Sequence, residues 1–236
     1  MDIEIKKLKK QYNNQIVLDI DSLFIPRGEL IGLIGNNGAG KTTLLRLISD
    51  LSKATSGRVL INENDVSKSE AWKQYTSSYI DKNFLIDFLT AEEYFEFIAA
   101  SYNISKHELD LSLASLADFM RGELLKKNKY IRDHSIGNQQ KIGIIAAIIS
   151  NPDILVLDEP FNYLDPTSQH FICNYLKNIN QNKGVTMIIS SHNLELIYDV
   201  SSRIILLDSG RIIKDVVVNN TEQRDNATNR ALALAA

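Results

Sequence analysis

The sequence predicts an α/β fold: a mostly parallel β-sheet flanked by helices, with a further helical segment inserted. Three observations predict it. Short apolar runs alternate with longer helical patterns, as parallel strands joined by crossover helices require. The run 154–157 is apolar throughout and 185–189 is nearly so, which marks strands buried on both faces. A glycine-rich stretch at 35–42 lies between an apolar run at 30–34 and a helical pattern.

The elements follow in order along the chain. Residues 16–25 and 30–34 read as strands, joined by the turn Pro26-Arg27-Gly28. A helix starts near Lys41 and runs to about Leu51. Residues 57–61 and 77–80 read as short strands. From Thr90 to about Lys127 the pattern turns helical, with Glu92, Glu93 and Glu96 set among Tyr94, Phe95, Phe97 and Ile98. A second helix begins near Ile136 or Gly137 and ends before Asn151-Pro152. After the strand at 154–157 come a helix over 167–179 and strands at 185–189 and 204–207. Asp208-Ser209-Gly210 turns into a last strand at 211–217. The expected domain is 1–218, with a helical subdomain at about 84–150. Residues 219–236 read as a polar, frayed tail to which no function is assigned.

Bulk properties narrow the function classes. A length of 236 residues with 44% apolar content fits one domain with a sizeable core. A net charge of −3 argues against a dedicated nucleic-acid binder, which shows a basic stripe. Cys173 is the only cysteine, so neither an intrachain disulfide nor a multi-cysteine metal site is possible. Residues 1–7 lack the apolar core of a secretory signal. The longest apolar run, 142–149, is far short of the roughly 20 residues that span a bilayer. Any membrane role is therefore expected to need a separate partner.

Gly35-Asn36-Asn37-Gly38-Ala39-Gly40-Lys41-Thr42 fits the phosphate-loop pattern G-x-x-x-x-G-K-[ST], in the strand-to-helix context the pattern requires, with Thr43 next. The glycines let successive N–H groups turn toward phosphate oxygens, and the helix N-terminus adds positive potential. Lys41 is then placed for the β- and γ-phosphates of a nucleoside triphosphate, and Thr42 for magnesium. The strand at 154–157 ends in Asp158-Glu159, at the sheet edge where such loops lie. Asp158 suits magnesium, and Glu159 suits a general base acting on water.

His134-Ser135-Ile136-Gly137-Asn138-Gln139-Gln140-Lys141 precedes that strand. Here the chain resembles the ATP-binding cassette (ABC) family. The family signature is L-S-G-G-Q, then Gln and a basic residue. Ser135, Gly137, Gln140 and Lys141 are kept; His134, Ile136 and Asn138 depart from it. By the same resemblance Tyr12 stands where an aromatic stacks on adenine. Phe161-Asn162-Tyr163-Leu164-Asp165-Pro166 looks like the D-loop, and Ser191-His192 matches the switch histidine. The family's glutamine after the strand at 77–80 is missing. Asp81 stands nearest its place, as a metal-facing acid or as an exposed loop carboxylate.

The resemblance covers about residues 2–218. It implies a P-loop NTPase core with a mostly parallel sheet, an N-terminal antiparallel β subdomain and an inserted helical subdomain. It implies ATP and Mg2+ as ligands, with Ser135, Gly137 and Asn138 capping the γ-phosphate held by a second subunit in a head-to-tail homodimer. Asp165 is carried over as a nucleotide-side residue. A membrane permease is the implied partner, contacted by the helical insertion and the loop at 81–89, with no nucleic acid. The chain would sit on the cytoplasmic face of the membrane. Two readings compete: an ABC-type ATPase that moves no solute, and a small-molecule kinase. No heptad array separates Lys41 from Asp158, and a kinase has no need of Ser135, Gly137 and His192 in these places.

Overall fold

A computed structural model describes residues 1–125 and 128–218. The frayed tail expected from 219 onward, and Lys127 at the end of the helical segment, lie outside the described residues.

The chain opens with β1 (Ile3–Tyr12) and β2 (Gln15–Ile25), followed by β3 (Leu30–Ile34) and α1 (Lys41–Ile48). Next come β4 (Ser56–Ile61), β5 (Asn64–Asp65) and β6 (Thr76–Tyr79). The inserted helices are α2 (Ala91–Ser101), α3 (Lys106–Ser115) and α4 (Ala117–Met120), and α5 (Ile136–Ile149) returns the chain to the sheet. The remainder is β7 (Ile154–Leu157), α6 (Pro166–Lys183), β8 (Thr186–Ser190), α7 (Leu194–Val200), β9 (Arg203–Asp208) and β10 (Arg211–Val217).

Two sheets result. An antiparallel sheet has the order β2-β1-β4-β5, and the larger sheet the order β10-β9-β3-β8-β7-β6. In the larger sheet only the β9–β10 pair is antiparallel. Its central strands β3, β7 and β8 are buried along their whole length. Leu30, Ile34, Leu155 and Leu157 pack into a core beneath α2–α6. Ile31, Leu33, Ile154 and Val156 pack into a second core with α1 and the antiparallel sheet.

The expected α/β architecture with its N-terminal β subdomain and helical insertion is present. Several bounds differ for local reasons. α1 stops at Ile48, short of the expected Leu51, because Asp50 takes a left-handed φ of 50°. The segment from Thr90 is broken into three helices. Thr90 and Ser105 form capping boxes with Glu93 and Glu108, and Arg121, at φ 50°, ends the third helix. α6 runs to Lys183, past the expected 179, and Gly184 ends it in the left-handed region.

Candidate active site

Parallel pairing makes β3, β7 and β8 end at one edge. Leu33 pairs with Ser190, and Leu157 with Ile189. Segments 35–42, 158–159 and 190–192 therefore leave the sheet side by side, the expected ligand position in such folds.

At the phosphate loop, α1 begins after Gly40 (φ 105°) with no side-chain cap and no acid in its first turn. Its first amides keep their hydrogen-bonding capacity for an anion. A Cβ on Gly35 would strike the Leu207 carbonyl at 2.2 Å, whereas one on Gly38 would meet nothing within 4 Å. The loop is thus tight at its base and open at its crest, the shape of a phosphate cradle. Lys41 is 6% exposed. Its Nζ donates to the Gly35 carbonyl at 2.7 Å and lies 3.6 Å from Glu159 Oε1.

The Thr42 hydroxyl donates to Asp158 Oδ2 at 2.5 Å, and the Ser190 hydroxyl donates to Asp158 Oδ1. Burial pushes the Asp158 carboxyl up, against the pull of these two hydroxyls. A hydroxyl beside a carboxylate is a hard-oxygen pair that fits magnesium, the remaining ligands coming from phosphate oxygens and water. Among the described residues there is no group of three or more His, Cys, Asp or Glu that could hold a metal ion.

Glu159 sits at φ 47°. Its Oε2 accepts from the His192 N–H at 3.2 Å and lies 2.9 Å from His192 Nδ1. These residues, with Asn36, Asn37 and Asn162, line a cavity of about 530 Å³ beside the loop.

Other sequence-predicted residues stand apart from that cavity. Tyr12 is 45% exposed at the end of β1, with Lys10 Nζ 4.5 Å from its ring centroid. Ser135 caps α5 by accepting the Asn138 N–H at 3.3 Å, and the Asn138 amide donates to Glu123 at 3.3 Å. Gly137 packs beneath the D-loop, where a Cβ would stand 2.5 Å from the Tyr163 carbonyl.

Two carried-over residues are engaged elsewhere. Asp81 accepts from the Asn83 N–H at 2.9 Å and pairs with Arg46 at 3.7 Å. It takes no part in the Thr42–Asp158–Ser190 set. Asp165 caps α6 by accepting from Ser168 and pairs with Arg121 at 3.0 Å. Both carboxylates make local contacts in this structure, and neither lines the cavity beside the phosphate loop. Sequence reasoning missed Ser190 and Gln140, whose amide donates to the Glu159 carbonyl at 3.0 Å. The available signal for Ser190 was a serine ending the apolar run beside the Asp-Glu strand.

Residues 18–162 match the family model described as ABC transporter. The chain is 32% identical over 225 residues to the bacitracin transport ATP-binding protein BcrA of Enterococcus faecalis, covering 94% of this chain and 71% of that protein. It is 35% identical over 222 residues to the methionine import ATP-binding protein MetN of Francisella tularensis, covering 89% of this chain and 62% of that one. Such importers extend well beyond the matched region. Among solved structures, one titled as the ATP-binding subunit of an ABC transporter superposes with a TM-score of 0.84 at 28% identity, covering 96% of this chain and 94% of that one. A dimeric cassette in a post-hydrolysis state with ADP and Pi gives 0.81 at 24% identity, covering 92% and 99%, which shows the fold alone.

Proposed function

The chain belongs to the ABC transporter family, and from that premise we propose that it is the ATP-hydrolysing subunit of a transporter, driving solute movement through a separate membrane permease. One observation carries the hydrolytic part: Thr42 on Asp158, and His192 on Glu159, meet beside the open crest of the phosphate loop. Lys41 and the first amides of α1 bind the phosphates. Thr42 and Asp158 would hold magnesium, which when bound neutralises phosphate charge. Glu159 takes the proton of the attacking water, and His192 keeps its carboxylate turned toward the cavity.

Ser135, Gly137 and Asn138 serve the site of a second copy. They open α5 at a solvent-facing end, where Ile136 is 47% exposed. A groove of about 350 Å³ between β6 and the inserted helices suits the permease. Phe84 is 55% exposed beside it, and the buried hydroxyls of Ser49 and Thr76 on its wall have no hydrogen-bond partner. An aromatic rim with unsatisfied hydroxyls fits a short amphipathic helix. No helix among the described residues is long and apolar enough to cross a membrane. Export is the direction we favour, on the likeness to BcrA and the S-x-G-N-x-Q-K form of the signature.

Glu159→Gln tests the chemistry. ATP affinity should stay near that of the parent while turnover falls by roughly 10²- to 10⁴-fold, the usual contribution of a positioned base. Near-normal turnover would remove Glu159 from that role.

A further inference from the structure

We infer that Gln140 and Tyr79 are positioning residues that hold the Glu159 backbone in the conformation that aims its carboxylate. The inference rests on the reading of Glu159 as the base. At φ 47° Glu159 occupies the left-handed region, which a residue with a Cβ keeps only where its surroundings fix it. Its N–H is held by Ser190 Oγ at 2.9 Å. Its carbonyl accepts from the Asn162 N–H at 3.2 Å, within the same turn, and from Gln140 Nε2 at 3.0 Å. Gln140 is therefore the grip on that carbonyl from a different element, α5.

A glutamine amide can turn either its nitrogen or its oxygen to such a carbonyl, and only the nitrogen binds. Tyr79 braces the orientation that the carbonyl requires. Its hydroxyl donates to Gln140 Oε1 at 3.0 Å, leaving Nε2 for Glu159. The ring is fixed in turn: it fills the space over Gly143, where a Cβ would stand 2.0 Å from Tyr79 Cε2. Tyr79 and Gln140 are 5% and 8% exposed, so water cannot readily replace either bond. Neither residue lines the cavity beside the phosphate loop.

The test is steady-state ATPase kinetics on the purified chain carrying Gln140→Met, Tyr79→Phe or both. In Gln140→Met kcat should fall about ten- to a hundredfold, as small misplacements of reacting groups do. Tyr79→Phe should lose several-fold, with KM for ATP close to that of the parent in both. Because Tyr79 acts through Gln140, the double variant should be no slower than Gln140→Met alone. An unchanged kcat, a KM that rises in step with the fall in kcat, or multiplying losses in the double variant would each overturn the inference. Tyr79→Phe deletes one oxygen and keeps the test open should Gln140→Met fold poorly. Glu159→Gln measured in parallel separates the two levels. If it stays active, the base assignment fails. If it is silent while Gln140→Met is normal, only the positioning role fails.

Discussion

The N-termini of α1 and α5 solve the same electrostatic problem in opposite ways. Each ends in amides without intrahelical acceptors and carries partial positive charge. At α1 the cap position is Gly40, and no side chain satisfies the first turn. At α5 Ser135 accepts the Asn138 N–H, and the Asn138 side chain is itself tied to Glu123. The first terminus keeps its donors for a ligand of the same chain, beneath a loop whose crest at Gly38 is open. The second spends one donor internally and leans Gly137 on the Tyr163 carbonyl. On the proposed reading α5 stands without ligand until another subunit arrives, and a terminus of that kind gains from such a cap.

The largest test of that contrast is Lys41→Ala. Removing a buried charge that pairs with phosphate costs about 2–5 kcal/mol, so a titration with ATP should show binding weakened by at least about thirtyfold. Ser135→Ala, at the other terminus, should leave ATP affinity of the isolated chain unchanged. Equal losses in both variants would break the comparison.

Gly137→Ala is the next largest. The new Cβ would meet backbone, not a flexible side-chain end, so the D-loop or α5 must shift. Overpacking of this kind costs about 1–3 kcal/mol, readable as a lower denaturant midpoint with an unchanged slope. A variant as stable as its parent would mean that the α5 start and the D-loop move independently.

The same contrast explains what the sequence discloses. The phosphate loop is legible because strand, glycines, Lys41 and Thr42 are contiguous, and each residue states its own chemistry. The fold class is legible because the strands at 154–157 and 185–189 are largely apolar runs, buried along their length. β1 is hidden: Lys6, Lys7, Lys9 and Lys10 blur its alternation, and its register shifts twice. α7, over Leu194–Val200, is too short to show a period. Ser190, Gln140 and Tyr79 acquire their roles only when β7 pairs with β8 and α5 packs on β6. Asp81 and Asp165 show the limit of a motif position, which fixes where a carboxylate lies but not what it binds.

Asp165 gives the smallest effect and the clearest sign. The Ser168 hydroxyl, then its N–H, and the Arg121 and Lys141 charges hold this carboxyl down to about 2, from an ordinary 3.8. A folded-state pKa below the unfolded one means that the unfolded chain binds more protons between those values. The contribution is therefore complete above pH 3.8 and is lost as pH falls toward 2. Its size is modest, because the side chain is 42% exposed and solvent screens the Arg121 pair. Asp165→Ala should cost about 1 kcal/mol at neutral pH, chiefly the α6 cap. Asp165→Asn, which can still accept from Ser168, should cost less and flatten the stability profile in the acid window by up to about one proton. Urea midpoints across that range measure both, and an unaltered slope in Asp165→Asn would show that the carboxylate is not charge-paired in solution. ATP affinity should be unchanged in either variant, because Asp165 anchors the D-loop to α6 and Arg121 instead of facing the phosphate loop.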